Sequence, residues 1–204
     1  RACSESRCRI EPAGDVAVEP GEPLEIHGTT GERPAIDLVV DGRSVGAAAW
    51  TYVAPTDRYL TSPVVITAIA QTNLYVNADK NVGSDANGGF FPESPKLTFA
   101  GLMPMISNGD TIHVAEGCYA TDPIPVAATE GIKTRILITN SNVRVVADGD
   151  CERTVIMGAP ASNGDEYGLG SDATRCVYIS NVAGVRVENL TLTGGRTVND
   201  KSQS

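Results

Sequence analysis

From Thr111 onward the apolar residues come in short alternating sets: Ile112 and Val114, Ile136 and Ile138, Val143 and Val145, Val155 and Met157, Val177 and Ile179, Val185 and Val187, Leu190 and Leu192. Alternation with period two marks a β-strand that buries one face. Each strand offers only two or three side chains to an interior, too few to form a core alone. The sets are separated by Gly, Asn and Asp, which supply turns. Stacking one turn of chain on the next pairs the backbone edges and merges the apolar rows into one core. Two segments are alike, Ile138-Thr-Asn-Ser-Asn-Val-Arg-Val145 and Ile179-Ser-Asn-Val-Ala-Gly-Val-Arg-Val187, and their valines Val143 and Val185 stand 42 residues apart. That interval holds one coil with an insertion, or two coils of about twenty residues each. The turn-rich segment 159–173, with almost no apolar content, is the candidate insertion.

A stack of coils has open ends, and an uncovered end offers its strand edges to aggregation. Leu74 and Val76 form a short strand ahead of the stack, followed by the polar, glycine-rich loop 80–89. Residues 96–107 predict a short helix with Leu102 and Ile106 on one face, and Pro104 breaks it. Loop and broken helix are placed to cap the N-terminal end. Residues 194–204 carry nothing that resembles a cap. The expectation is therefore that 73–204 is the capped start of a longer stack, cut short.

Ahead of residue 73 the texture differs. Residues 1–12 read as a charged lead-in. Residues 13–72 read as a strand series: Val16 with Val18, a turn at Pro20-Gly-Glu-Pro23, Leu24 with Ile26, then Ile36, Leu38 and Val40 running into the hairpin turn Asp41-Gly42. Trp50 with Tyr52, and Val64, Ile66 and Ala68, complete it. Short strands with Gly/Pro turns predict a small β-sandwich. Trp50 is expected in its core rather than as a sugar platform. The fold class is all-β throughout.

The segment 13–72 resembles the immunoglobulin-like modules of bacterial surface proteins, on Val16-Ala-Val-Glu-Pro-Gly-Glu-Pro-Leu-Glu-Ile26 and Val64-Val-Ile-Thr-Ala68. Residues 74–119 resemble the entrance segment of right-handed parallel β-helix proteins of the pectate-lyase-like superfamily. Leu74-Tyr-Val-Asn-Ala-Asp79 is similar to its first strand, Gly83-Ser-Asp-Ala-Asn-Gly-Gly89 to its glycine-rich loop, and Pro95-Lys-Leu-Thr98 to the lead into its cap. Asn108-Gly-Asp-Thr-Ile-His-Val-Ala-Glu-Gly-Cys-Tyr119 is similar to its first coil, and Val185-Arg-Val-Glu-Asn-Leu-Thr-Leu-Thr-Gly-Gly195 to its recurring coil. Pro104 and Cys118 depart from the common pattern. The superfamily includes polysaccharide lyases, glycoside hydrolases and non-catalytic adhesins, so the resemblance implies a fold and leaves the activity open.

The formal net charge of -9 argues against a nucleic-acid partner, which needs a concentrated basic face. No apolar run spans a bilayer, and no signal peptide stands at Arg1. Five cysteines, Cys3, Cys8, Cys118, Cys151 and Cys176, include no C-x-x-C pair. Two disulfides and one thiol in an oxidised compartment would use all five, with Cys3 and Cys8 able to close a small loop and a bridge between neighbouring turns open to the other three; buried free cysteines are the alternative, and the odd count leaves room for a partner cysteine elsewhere. The expected location is secreted or at a cell surface.

Candidate site residues are few. Asp148 and Asp150, with Glu152 near, are candidate ligands for calcium, which takes several converging oxygens. Arg144 and Arg186 occupy matching places in the two similar strands and point outward, as sugar-binding groups or as surface polarity. Asp79, Asp85 and Asn87 make a second oxygen-rich loop, and Asp165 and Glu166, with Asp172, offer a third cluster on the inserted loop as candidate binding groups. His113 points outward with no evident partner. Asn189-Leu-Thr191 satisfies the N-glycosylation rule. No catalytic set converges. The leading expectation is an extracellular or cell-surface structural and binding module engaged in adhesion or glycan contact. Its partners would be a polysaccharide, a cell-surface protein or the missing C-terminal part of the same protein. The alternative is the N-terminal portion of a polysaccharide lyase or glycoside hydrolase whose catalytic residues lie beyond Ser204.

Overall fold

The computed structural model describes residues 9–29, 33–56, 63–126, 131–162 and 164–197, and the backbone of 2–4. The chain divides into two compact units, Arg1–Gln71 and Thr72–Ser204. Among the described residues no helix is long and apolar enough to cross a membrane.

The first unit holds β1 (Ala2–Ser4), β2 (Arg9–Glu11), β3 (Pro23–Thr29), β4 (Ala35–Val40), β5 (Arg43–Ser44), β6 (Ala49–Val53) and β7 (Ile66–Ala70). One sheet has the order β1-β7-β4-β5 and the other β2-β3-β6. Ile10 and Ile26 from the second share a core with Leu38, Ile66, Ala68 and Ala70 from the first, and Trp50 packs against it. Asp41 and Gly42 both have positive φ, as the tight β4–β5 turn requires. Three expectations are corrected. Residues 9–11 are not a loose lead-in, since they pair with β3 and bury Ile10. Val16 and Val18 form no strand, and Val16 is exposed. Ile36 does not share the face of Leu38, because a bulge between Ala35 and Asp37 shifts the register and leaves it exposed.

The second unit is a β-solenoid of about three turns. It begins with β8 (Asn73–Val76), then α1 (Phe99–Leu102) and a 3₁₀ turn at Met103–Met105. The coils follow as β9 (Thr111–Val114), β10 (Gly117–Tyr119), β11 (Ile124–Pro125), β12 (Lys133–Ile138), β13 (Arg144–Ala147), β14 (Thr154–Met157), β15 (Thr174–Ile179), β16 (Arg186–Glu188) and β17 (Thr191–Thr193). They stack into three sheets, ordered β8-β9-β13-β16, β10-β14-β17 and β11-β12-β15. Every strand pairing between successive coils is parallel among the described residues, and the antiparallel contacts are local, the β11–β12 hairpin and the Ala159–Thr174 bridge. Arg144 pairs directly with Arg186, so the 42-residue interval is one coil with its insertion.

The core follows the alternation. Leu74, Ile112 and Val145 lie side by side, fully buried, as do Val76 and Val114. The corner before each strand repeats too. Gly109, Asn142 and Gly184 stand two residues before Thr111, Arg144 and Arg186, and all three have positive φ. Gly and Asn are the residues that tolerate this conformation.

The N-terminal end is covered as expected. Tyr75 and Lys96 exchange backbone hydrogen bonds with the capping loop and β8, so the outer edge of β8 is occupied. The helix is broken, with Pro104 inside the 3₁₀ turn, and Phe99, Leu102 and Ile106 close the core. The Asp85 carboxylate ties loop to cap by accepting from Leu97 N, Thr98 N and Thr98 Oγ1 at 3.0, 2.9 and 2.8 Å. At the opposite end β15, β16 and β17 are the outermost strands of their sheets among the described residues, and Ile179 and Leu192 are about half exposed.

One strand faces the other way from its sequence reading. Thr154 and Ile156 are buried in β14, while Met157 is exposed. Thr154 can enter the interior because its hydroxyl donates to Asp150 O at 2.9 Å.

Candidate functional site: the outer face of the four-stranded sheet

The strands β8, β9 and β13 bury alternate residues, β16 half-buries Val187, and the remaining residues form two rows on the outside. One row reads Asn73, Thr111, Arg144, Arg186, and the next Tyr75, His113, Val146, Glu188. Parallel, in-register stacking makes these rows, so residues 33 to 42 positions apart in sequence become neighbours.

The Tyr75 and His113 rings stack, with centroids 4.9 Å apart and planes 16° from parallel. His113 Nδ1 lies 2.6 Å from Asp148 Oδ1. Since a carboxylate accepts, Nδ1 carries the proton and donates, which fixes the ring's orientation. Its Nε2 faces Asn73 Oδ1 at 3.4 Å, a long contact. Burial, and then the negative charges of Asp148 and Glu93, raise the Tyr75 phenol above its ordinary value. At the other end Arg144 grips Glu188, with Nη2 and Nε 2.6 and 2.8 Å from Oε2. The hydrogen bond from Arg144 is the largest influence holding the Glu188 carboxyl below its usual range. Arg186 beside them is exposed, and its side chain makes no hydrogen bond or ion pair among the described residues.

This face brings together four of the residues singled out from sequence, Arg144, Arg186, Asp148 and His113, and adds Tyr75 and Glu188. The reading of His113 as partnerless is corrected, since Asp148 and Tyr75 hold it from adjoining coils. Asp150 is engaged elsewhere: its backbone N donates to Glu116 Oε1 at 3.0 Å and its Oδ1 accepts from Glu152 N at 2.9 Å. Glu116 also pairs with Arg153. Among the described residues no three His, Cys, Asp or Glu side chains gather as a metal ion would require. On the inserted loop Asp165 Oδ1 accepts from Tyr167 N and Leu169 N, Glu166 is exposed, and Asp172 accepts from Ser162. These are turn-forming contacts. Asn189 has positive φ, and its Nδ2 donates to Gly149 O at 2.7 Å.

The expected disulfide among Cys118, Cys151 and Cys176 is corrected, because all three are free thiols. Cys118 lies opposite Val155 in β10–β14 and Cys151 sits in the turn before β14, while Cys176 belongs to β15 on another sheet. Its thiol points to Thr193 O, 3.1 Å away. The proposed Cys3–Cys8 bridge lies outside the described residues.

As chemistry, the face is a rigid aromatic pair flanked by a carboxylate, a tied ion pair and a free guanidinium. Such a surface offers a flat apolar patch with donors and acceptors around it. No family model matches the chain, no curated protein matches it in sequence, and no solved structure matches it in fold.

Proposed function

We propose that this chain is an extracellular or cell-surface structural and binding module whose solenoid contacts a glycan through the outer face of β8, β9, β13 and β16. The observation that carries the reading is the Tyr75–His113 stack with Asp148, Arg144, Glu188 and Arg186 on one sheet face. Sugars present both apolar C–H faces and hydroxyls, and this face supplies an aromatic surface beside charged donors and acceptors. Apart from Arg186, its side chains are held by one another, so little of their freedom is lost on binding.

The finer family reading belongs here as well. We take the solenoid as a right-handed helix of the pectate-lyase-like kind and the first unit as an immunoglobulin-like sandwich. The parallel coils, the glycine-rich cap and the two sheets sharing one core support this. The exposed apolar residues and outermost strands β15–β17 support further polypeptide stacked on that end. Calcium at Asp148 would compete with His113 for the same carboxylate.

The test is a screen of neutral and acidic polysaccharides for binding to the chain and to Tyr75→Ala. Saturable binding weakened about tenfold or more by Tyr75→Ala is expected, in line with loss of one well-packed aromatic contact. Absence of binding, or binding indifferent to Tyr75, rejects the reading.

A second reading, the N-terminal portion of a polysaccharide lyase or hydrolase, is favoured by the His113–Asp148 pair, because an imidazole oriented by a carboxylate is equipped as a base. Incubation with the same polysaccharides, followed by assay of reducing ends and unsaturated products, separates the two. Turnover lost in His113→Gln supports the second reading over the first.

A further inference from the structure

Between the N-terminal cap and the first full coil lies a cleft of about 190 Å³, with Lys80, Thr98, Phe99, Cys118, Asp122 and Arg135 in its walls. None of these belongs to the outer sheet face. Arg135 is 6% exposed, and its Nε donates to Met157 O at 2.7 Å. Its two terminal nitrogens make no hydrogen bond or ion pair among the described residues. They are not sealed in, since no buried side-chain nitrogen or oxygen lacks a partner there. The guanidinium thus presents unsatisfied N–H groups to the cleft, and an arginine fork matches the two oxygens of a carboxylate.

The other walls narrow the ligand. Lys80 is exposed and makes no hydrogen bond or ion pair among the described residues. Asp122 is exposed, and its negative charge acts on Arg135. Two cations and one carboxylate leave one net positive charge, which suits a monoanion better than a dianion. The Tyr119 hydroxyl is turned to the carbonyls of Val76 and Ala115, so its ring and Phe99 offer apolar walls for the body of a small molecule. The volume suits one small organic acid.

We propose that this cleft binds small monocarboxylates, with the carboxylate against the terminal nitrogens of Arg135 and Lys80 at the mouth. The site is independent of the glycan-contact reading, and either can fail alone. The test is an NMR titration of the ¹⁵N-labelled chain with D-glucuronate and with N-acetyl-L-alanine, which carry the same carboxylate on a sugar and a peptide-like body. Glucose serves as the neutral control and inorganic phosphate as the dianion. Saturable shifts are expected at the Arg135 Nε–H and the amides of 118–122, with a Kd of the order of 1 mM, none with glucose, and weaker ones with phosphate. A preference for one carboxylate identifies the body the site reads, and equal binding means that it reads the carboxylate alone. Because Lys80 and Asp122 are exposed, Lys80→Met and Asp122→Asn leave the fold intact. The first is expected to weaken binding about two- to fivefold and the second to tighten it by a similar factor. Arg135→Lys, which keeps the charge but loses the fork, weakens it more than Lys80→Met. The proposal is overturned if neither carboxylate saturates in the cleft below about 50 mM, if phosphate binds more tightly than both, or if Lys80→Met and Asp122→Asn leave the affinity unchanged.

Discussion

Replacing Ile112 by alanine tests whether the coils share one continuous interior. Ile112 is fully buried in β9, with Leu74 opposite it in β8 and Val145 opposite it in β13. The substitution removes three carbons, about 2.4 kcal/mol of transfer free energy at about 0.8 kcal/mol per methylene. Backbone hydrogen bonds hold the neighbouring coils at fixed spacing, so the space cannot close fully, and the cavity adds to the cost. The expected loss is about 3 kcal/mol, within the range for such truncations and a large part of a domain's ordinary stability of about 5–15 kcal/mol. Urea unfolding read by hydrogen-exchange mass spectrometry of peptides from the second unit measures it on that unit directly. Leu192→Ala is the control, because Leu192 is 49% exposed and its truncation should cost under about 1 kcal/mol. If Ile112→Ala shifts the midpoint no more than Leu192→Ala, the stacked interior is wrong.

Further outcomes follow from single contacts. Asp85→Ala removes the acceptor of three hydrogen bonds and leaves two cap N–H groups without it, so the cap should loosen by about 1–3 kcal/mol and exchange faster at Leu97 and Thr98. Gly184→Ala should lower the melting temperature more than Gly42→Ala. Both have positive φ, but a methyl group at 184 would lie 2.2 Å from Asn142 Oδ1, whereas nothing lies within 4 Å at 42. Glu116, Glu188 and Asp172 have carboxyls depressed by the Asp150 N–H with Arg153, by Arg144, and by Ser162 respectively. Their stabilisation is present above the ordinary carboxylate range and is lost as pH falls through the lowered values. The melting temperature should therefore drop on the acid side, and less steeply in Glu116→Gln and Glu188→Gln. Of Cys118, Cys151 and Cys176, alkylation followed by peptide mapping should modify Cys118 fastest, because it is exposed while the other two are half-buried. Recovery of a disulfide among these three would contradict the thiol assignment.

The architecture was legible where the chain's period was legible. Leu74 with Val76, Ile112 with Val114 and Val143 with Val145 alternate in sequence and are buried in the structure. The proline-broken cap could be read in the same way, since one residue type imposes it. Reading failed where hydrophobicity was a poor guide to direction. Thr154, isosteric with valine and satisfied by Asp150 O, faces inward with Ile156, so that Met157 faces out. A bulge turns Ile36 outward, and Ile10, a single isoleucine among charges, shows no alternation that would announce its burial. The candidate face was half legible. The matched places of Arg144 and Arg186 in similar strands are a repeat visible in sequence, and the two residues pair in register. The contacts of Tyr75 with His113, His113 with Asp148 and Arg144 with Glu188 bridge adjoining coils of unequal length. No linear spacing announces them until the register is known.

The glycan-contact claim is tested most directly by NMR mapping of bound oligosaccharide. Fragments of the polysaccharides retained in the screen are titrated into the labelled chain and the amides that move are located. Saturable shifts centred on Tyr75, His113, Arg144, Arg186 and Glu188, absent in Tyr75→Ala, are the expected result. Saturable shifts confined to another surface, or no saturable shift with any fragment, would contradict it.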